Sequence, residues 1–530
     1  MNNPHNNFKD NQNQLPDSDQ NPNVHPTRWI SESKGKLLSG KTIVIGVTGS
    51  IAAVSVVTLA RELIRYGADV FAVTTDAACQ IIHPNALHYA TGNPVMTELT
   101  GKVEHVEFFG AKGRADLLLI APATANTVSK IAAGIDDTPV TTFATTAIGE
   151  GKNVMIVPAM HESMYRHPKV LENLKTLESW GIEVVGPRME EGIAKIANND
   201  EIVWRVKRAL GENGESDSSA FFAGKNVFIT SGSTAESIDP IRILTNRASG
   251  KTGNALALSA YEKGAEVFLI HRNKLGLDLP HLNEIYAESA EEMTRAIVEK
   301  IKEKRTIGQK NILISAAAIA DYTINQTDEK IKSGKDELTL SLHPTKKLIE
   351  EAKKADPDLL VVAFKAETAM SFEELIDSAA QKINDGIADV VVANNVKEKG
   401  MGTDDNDVYL VFKDLIVKWI PISGSKEMIA DEILNFIAAR EGQKNQNEST
   451  GINQLVDKKT KTIANLVNST TLDEKLNEKK NETDEEDKPD DEKQTGNPNQ
   501  SQNPNQNQNQ NQKSGRYKKP VQMKGRVFKK

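Results

Sequence analysis

Short runs of apolar residues, each followed by a small-residue turn and then a helical stretch, recur in two series along the chain, and this alternation most restricts its fold. Thr42 to Val47 reads as a buried strand, Gly49-Ser50 as a turn, Ile51 to Tyr66 as a helix and Asp69 to Thr74 as the next strand. Further strand-length runs stand at Leu117 to Ala121, Val154 to Val157 and Glu183 to Val185. Helical stretches separate them, so the pattern predicts an α/β domain. Glu212 to Ala223, rich in Gly, Ser, Glu and Asp, interrupts the alternation and reads as a linker. A second series then follows, with strands expected at Val227 to Thr230, Glu266 to Ile270, Ile312 to Ser315, Leu359 to Phe364 and Asp389 to Ala393. Val408 to Phe412 and Ile416 to Ile420 flank a Lys-Asp pair and suggest a terminal hairpin, closed by a helix over Lys426 to Arg440.

The ends of the 530-residue chain differ from this middle. Met1 to His25 is rich in Asn, Asp, Gln and Pro and buries too little apolar surface to offset the entropy of ordering. Beyond Gly442 come an acidic run around Asp484 to Glu492, Asn/Gln repeats to Gln512 and a basic end, which read as a solvated appendage. These polar ends depress the hydrophobic fraction to 38%. Cys79 is the only cysteine, which excludes an intramolecular disulfide and a thiolate metal cluster and fits a reducing cytoplasm. No apolar run reaches the roughly 18 residues that span a bilayer, and the first residues lack a signal peptide's apolar core. Net charge is −8 with lysines and arginines spread throughout, which argues against general nucleic-acid binding. The expectation is a soluble, cytoplasmic protein with small-molecule substrates, no membrane and no nucleic acid.

In the first half, Gly46-Val47-Thr48-Gly49-Ser50-Ile51 joins a strand to a helix, where free N–H groups and the helix dipole favour an anion such as phosphate. It departs from GxGxxG, and Thr74-Thr75 ends the second strand where a dinucleotide fold has an acidic ribose partner. Three stretches sharpen the reading: Glu104-His105-Val106-Glu107, Ala121-Pro122-Ala123-Thr124-Ala125-Asn126-Thr127, and Pro158-Ala159-Met160-His161-Glu162-Ser163-Met164-Tyr165. Together they resemble the flavin-dependent cysteine decarboxylases over about Lys41 to Leu210. The resemblance implies FMN held by Gly49, Ser50, Ile51, Thr75, Thr124, Ala125, Asn126, Thr127 and Ala159. It implies that His105 helps oxidise a substrate cysteine to a thioaldehyde, from which carbon dioxide leaves, and that Asn126, Met160, His161 and Met164 bind the substrate. Two departures stand out. His161 occupies a position that is Asn in most bacterial and eukaryotic relatives, and the flap stretch Glu190-Glu191-Gly192-Ile193-Ala194-Lys195-Ile196-Ala197 lacks the family's proton-donating cysteine. Cys79 lies too early to align with it, and Lys195 or His161 is left as the alternative donor.

In the second half, Gly250-Lys251-Thr252 invites a P-loop reading, but Thr245 stands where the first P-loop glycine is required. Thr230-Ser231-Gly232-Ser233-Thr234, Ile238-Asp239-Pro240-Ile241-Arg242 and Thr245-Asn246-Arg247-Ala248-Ser249-Gly250 accompany Ala316-Ala317-Ala318-Ile319-Ala320-Asp321-Tyr322. With Glu329-Lys330-Ile331-Lys332, Ala363-Phe364-Lys365-Ala366-Glu367-Thr368 and Ala393-Asn394-Asn395, they resemble phosphopantothenate–cysteine ligase over about Lys225 to Arg440. A carboxylate is a poor electrophile until it carries a phosphate leaving group, so a cation and Mg²⁺ are needed where phosphoryl charge builds. The resemblance implies Lys330 as that cation, Asn246 on the acyl-nucleotide intermediate, and Ala316, Ala317, Ala318, Asp321, Phe364 and Lys382 on the nucleotide. CTP is the usual nucleotide of the bifunctional forms. One lysine of the bacterial pattern falls at Gly386, which leaves ATP open, and no metal ligand is assigned.

Read end to end, the order of the motifs resembles the bifunctional coenzyme A biosynthesis enzymes, and the shortened flap with the Pro-Ala-Met-His form resembles their archaeal members. The implied architecture is two three-layer Rossmann-like domains, a flavodoxin-like flavoprotein domain over 26–211 and a ligase domain over 225–441. A linker at 212–224 joins them, and disordered tails cover 1–25 and 442–530. The family also implies homo-oligomers, with trimers of the flavin domain and dimers of the ligase domain. Two rival readings are a regulatory flavoprotein of the phosphatase-inhibitor type, suggested by the acidic tail, and a nicotinamide dehydrogenase.

Overall fold

Strands buried on both faces dominate the first half, and the alternation of their side chains determines the layers. In the computed structural model, which describes residues 25–190, 193–211, 217–306, 308–332, 337–368, 370–395, 403–413 and 419–444, the first sheet holds six strands. These are β1 (Thr42–Val47), β2 (Asp69–Thr74), β3 (Val95–Met96), β4 (Leu117–Ala123), β5 (Asn153–Pro158) and β6 (Glu183–Val184). They pair in parallel in the order β3-β2-β1-β4-β5-β6. Ile43, Ile45, Leu117 and Leu119 enter one core, whereas Val44, Leu118 and Ile120 enter another on the opposite face. Successive side chains point to opposite faces of a strand, so the uninterrupted apolar runs cover both sides of the sheet.

The order reverses between β1 and β4, which opens a crevice at the carboxyl ends of those strands. This is the doubly wound Rossmann order; the flavodoxin-like expectation matches the layering, while a flavodoxin sheet runs 2-1-3-4-5. A small antiparallel hairpin, β7 (Arg188–Glu190) with β8 (Ile193–Lys195), follows the sheet.

The second half repeats the plan with additions. Its strands begin with β9 (Asn226–Ser231), β10 (Ala235–Ser237), β11 (Ile243–Thr245), β12 (Glu266–His271), β13 (Leu282–Tyr286) and β14 (Ile312–Ser315). They continue with β15 (Tyr322–Ile324), β16 (Leu342–Pro344), β17 (Leu360–Glu367), β18 (Val390–Asn395), β19 (Asp405–Phe412) and β20 (Trp419–Ser425). The sheet order is β13-β12-β9-β14-β17-β18-β19-β20, parallel up to β18 and antiparallel through the last two strands. β10 with β11 and β15 with β16 form two small antiparallel hairpins beyond the carboxyl edge.

Several expectations shift. The helix expected over Ile51 to Tyr66 begins as a 3-10 turn at Ile51–Ser55 and becomes α-helical at Val56–Arg65. β13 was not anticipated, because Leu-Asn-Glu-Ile-Tyr buries only Leu282 and reads as polar; it is an edge strand with one neighbour. The expected linker contains a helix, Asp217–Phe222, whose Phe222 is fully buried in the second core. The terminal hairpin forms, with β20 later than expected. The tails at 1–24 and 445–530, linker residues 212–216, flap residues Glu191 and Gly192, and 414–418 lie outside the described residues. No described helix is long and apolar enough to cross a membrane.

The two halves meet through the helices Asn199–Gly211 and Lys251–Glu262. Lys207 Nζ lies 2.7 Å from Glu262, with their side chains 4% and 13% exposed, and sits over the rings of Trp204 and Tyr66 at 3.6 and 4.1 Å. Burial pulls the Lys207 ammonium down and pushes the Glu262 carboxyl up, and each is the other's main counterweight. Arg208 donates to the carbonyls of Tyr261, Gly264 and Ala265, covering acceptors at the end of the Lys251–Glu262 helix. Removing one partner of a buried pair strands the other charge, so Lys207→Met should lower the unfolding free energy by about 3–5 kcal/mol in a urea titration. Lys207→Met with Glu262→Leu should recover most of that loss, and an equally unstable double variant would show that the pair itself is not the cause.

Candidate active sites

The crevice of the first half is assembled around Thr48, which is 1% exposed. Its hydroxyl donates to the Pro122 carbonyl at 2.7 Å and accepts the Thr124 N–H at 3.1 Å, joining the loop after β1 to the loop after β4. Ala159 N–H donates to the Ala123 carbonyl at 2.9 Å, which brings the Pro158–His161 stretch alongside. Thr75 N–H donates to Val47 O, and a Cβ at Gly49 would meet Ala77 Cβ at 2.6 Å, so the β2 loop closes on Gly49. Gly49, Ser50, Ile51, Thr75, Thr124 to Thr127 and Ala159 therefore share one rim.

The chemistry on that rim is refined by its hydrogen bonds. Thr124 Oγ1 caps the helix Ala125–Ala132 through the Thr127 N–H and lies 3.1 Å from Thr127 Oγ1, and Thr127 is buried. Those hydroxyls serve the cap; what the loop offers an anion is the pair of first-turn N–H groups of Ala125 and Asn126, which have no intrahelical acceptor. Ser50 caps the turn at Ile51–Ser55. His161 caps the short helix Glu162–Tyr165: its Nδ1 accepts the Ser163 N–H at 3.3 Å, which puts the proton of the neutral ring on Nε2. Met160 packs against the core, while Met164 is 49% exposed. The β7–β8 hairpin, which ends at Lys195, packs on this helix.

His105 lies in the helix Glu104–Phe109, which follows Val103 at φ 56. Glu104 accepts bonds from the Thr100 hydroxyl and N–H, and these hold its carboxyl below the usual range. The His105 ring stands edge-on to Phe143, and its Nδ1 is buried without a hydrogen-bond partner among the described residues. A buried ring nitrogen left open is costly unless a ligand completes it. With the open first-turn N–H groups, this donor set fits an anionic, ring-bearing cofactor such as a flavin nucleotide.

In the second half, two loops are pressed together by glycines. Ser231 Oγ donates to Gly250 O, and a Cβ on Gly253 would lie 2.5 Å from Ser231 Oγ. Gly250 itself adopts φ +82, with its missing Cβ 3.2 Å from Gly232 Cα. Ala318 N–H donates to Gly232 O at 2.8 Å, and Asn246 Nδ2 donates to Ala318 O at 3.0 Å. Ala317 N–H donates to Thr230 Oγ1 and Ala320 N–H to Thr234 Oγ1. Asn246 and Ala316 to Ala318 thus converge at the carboxyl ends of β9 and β14.

Asp321 is paired with Lys347 at 2.6 Å and Lys365 with Glu367 at 2.8 Å. Burial, then the neighbouring Lys365 and Lys347 cations, pulls Lys382 below the usual lysine value, against Asp321 and Glu367. Lys382, Lys365, Lys347 and Asp321 therefore lie within electrostatic reach of one another, and an anion would relieve the repulsion among the lysines; half-buried Phe364 packs against the core on the other face of the sheet. Lys330 is exposed, in a loop that joins the β10–β11 turn through Ile331. The Gly386 carbonyl accepts from Lys353 Nζ at 2.6 Å. Sequence reasoning missed Thr48, Thr230, Lys347 and Asp239. Thr48, Thr230 and Asp239 lay inside quoted motifs, but bonds to Thr124, Ala317 and Ile331, 76, 87 and 92 residues away, leave no local signal.

Residues 31–211 match the family described as Flavoprotein, and residues 222–440 match the DNA/pantothenate metabolism flavoprotein C-terminal domain. The Coenzyme A biosynthesis bifunctional protein CoaBC of Thermococcus kodakarensis is 48% identical over 397 residues, covering 74% of this chain and 94% of that protein. The protein of the same description from Methanocaldococcus jannaschii is 37% identical, covering 78% and 97%. The one from Bacillus subtilis is 33% identical, covering 76% and 98%.

The Thr48 junction can be tested without any ligand. Thr48→Val keeps the shape but strands Pro122 O and the Thr124 N–H, so it should cost about 1–3 kcal/mol and accelerate hydrogen exchange at the Thr124 amide. Unchanged exchange there would mean that other contacts hold the two loops together.

Proposed function

Because the chain belongs to the bifunctional coenzyme A biosynthesis family, which joins a phosphopantothenoylcysteine decarboxylase to a phosphopantothenate–cysteine ligase, we propose the following division of labour. The second half joins 4′-phosphopantothenate to cysteine with CTP and Mg²⁺ through an acyl-nucleotide. The first half, with FMN, decarboxylates the resulting 4′-phosphopantothenoylcysteine to 4′-phosphopantetheine. The observation that carries this reading is the convergence of Asn246, Ala316 to Ala318 and the Lys347–Lys365–Lys382–Asp321 group at one sheet edge.

In the ligase half, the carboxylate of 4′-phosphopantothenate attacks the α-phosphorus, pyrophosphate leaves, and the cysteine amine then displaces the nucleoside monophosphate. Lys330, Lys382 and Mg²⁺ offset the charge that builds on the phosphoryl oxygens. Asp321 and Phe364 hold the nucleotide. The bond from Asn246 Nδ2 to Ala318 O leaves the amide oxygen of Asn246 to receive the incoming amine of cysteine. CTP is favoured by the family resemblance, and ATP is the competing nucleotide.

In the flavin half, Gly49, Ser50, Ile51, Thr75, Thr124 to Thr127 and Ala159 would hold FMN. FMN supplies reversible two-electron chemistry at the cysteinyl carbon–sulfur bond. His105 takes the proton lost in that oxidation; its open Nδ1 supports the role. Asn126, Met160, His161 and Met164 bind the substrate, and His161 Nε2–H suits its carboxylate. Ile51 (78% exposed), Val54, Val106 and Met164 are apolar and exposed around this rim, which supports trimers of the flavin half. Ile241, Ile243, Leu244, Tyr322 and Leu342 are exposed on and beside the small hairpins of the other half, which supports its pairing as dimers.

One assay separates the halves: supply 4′-phosphopantothenate, cysteine, Mg²⁺ and either CTP or ATP, then follow pyrophosphate and carbon dioxide. Both should appear, faster with CTP, and a preference for ATP would correct the nucleotide. Lys330→Gln should slow pyrophosphate release by about 100-fold or more without affecting decarboxylation of supplied 4′-phosphopantothenoylcysteine. His105→Asn should retain yellow, bound FMN yet release no carbon dioxide; full decarboxylation by that variant would sink the assignment.

A further inference from the structure

We propose that Asp239 is the positioning residue for the loop carrying Lys330, tying that loop to the β10–β11 turn so that Lys330 and Asn246 face the same reacting group. The inference rests on the ligase reading above.

The Asp239 side chain is completely buried, yet every oxygen lone pair it offers is directed at a nearby donor. Oδ1 accepts the N–H groups of Ile241 and Arg242, both at 2.8 Å, which closes the turn leading into β11. Oδ2 accepts Arg242 Nη1 at 2.6 Å and the Ile331 N–H at 3.1 Å. Arg242 Nη1 also donates to the Ile331 carbonyl at 3.1 Å. Ile331, the residue after Lys330, is therefore held at both its N–H and its C=O by one carboxylate–guanidinium pair.

The remaining contacts of this loop are also polar. Thr327 donates to the Ile238 carbonyl through its N–H at 3.1 Å and its hydroxyl at 3.3 Å. Residues 325–330 are all exposed and Ile331 is only half-buried, so apolar burial cannot hold the loop in place. A segment with few buried contacts opens easily unless hydrogen bonds hold it. A buried carboxylate accepting charge-assisted bonds is suited to that task. The same turn continues through β11 to Asn246, which is itself bonded to Ala318. Asp239 thus connects the exposed cation to the strand that ends at Asn246. Lys330 acts only where charge builds on the phosphoryl oxygens, and that requires its loop to stay docked.

An amide at this position replaces one acceptor by an NH₂ group facing the donors of Ile331 and Arg242. Asp239→Asn in the full chain should lower kcat for pyrophosphate release about 100-fold, the scale expected for a catalytic group misplaced by an ångström. KM for the nucleotide should change little, carbon dioxide release from supplied 4′-phosphopantothenoylcysteine should be unaffected, and the Ile331 amide should exchange faster. In the unmodified protein, the Ile331 amide should exchange more slowly than those of Glu329 and Lys330, a measurement that stands even where the variant does not fold. A folded Asp239→Asn enzyme that ligates at the normal rate, or an unprotected Ile331 amide, would overturn the proposal. Normal ligation by Lys330→Gln would instead overturn the ligase reading on which it rests.

Discussion

In each half of this protein, a threonine at the carboxyl end of the first sheet strand accepts a backbone N–H from the loop that follows the fourth. Thr48 takes the N–H of Thr124, and Thr230 takes that of Ala317. The two strands are neighbours, but once they end, the parallel ladder no longer joins their chains. Without a side-chain acceptor, the emerging loops would expose unsatisfied amides inside a crevice walled by apolar layers. Those hydroxyls keep the loops together, and the residues expected to bind cofactor, nucleotide and intermediate stand on them. The doubly wound order makes the crevice, because crossovers leave in opposite directions on either side of it.

The joint between the halves uses a different principle. Lys207 and Glu262 are buried together, and Arg208 covers carbonyls at the end of the partner helix. Such a pair adds little net stability over a good apolar contact, but it penalises any alignment that separates the charges. The helices Asn199–Gly211 and Lys251–Glu262 are therefore held in one register. Both crevices open at the carboxyl edges of their own sheets, while the joint is made by the helices Asn199–Gly211 and Lys251–Glu262.

Much of the architecture was legible because it is written in local patterns. The strands Thr42–Val47, Asp69–Thr74 and Ile312–Ser315 follow directly from apolar runs bounded by turns. β13 was not legible, because an edge strand has one partner and tolerates polar residues such as Asn283 and Glu284. The helix at Asp217–Phe222 was hidden in a polar stretch because its only large apolar residues, Phe221 and Phe222, stand at its end, where they reach the core. In the sites, the motif residues come together, and the hydroxyls of Thr124 and Thr127 also take part in the helix cap. Capping competes for the same oxygen atoms that a ligand would use, and spacing alone does not decide between them.

The sequence by itself determined two α/β halves, their order, and the families that their motifs resemble, because periodicity and turn chemistry act over a few residues. Only the tertiary structure decided which polar atoms are already satisfied. It leaves His105 Nδ1 open, directs Asn246 to Ala318, groups Lys382 with Lys347 and Lys365, and closes Asp239 on Ile331. Those outcomes depend on atoms separated by dozens of residues along the chain. Hydrogen-bond satisfaction and charge proximity are properties of distance in space, and the fold alone supplies that distance.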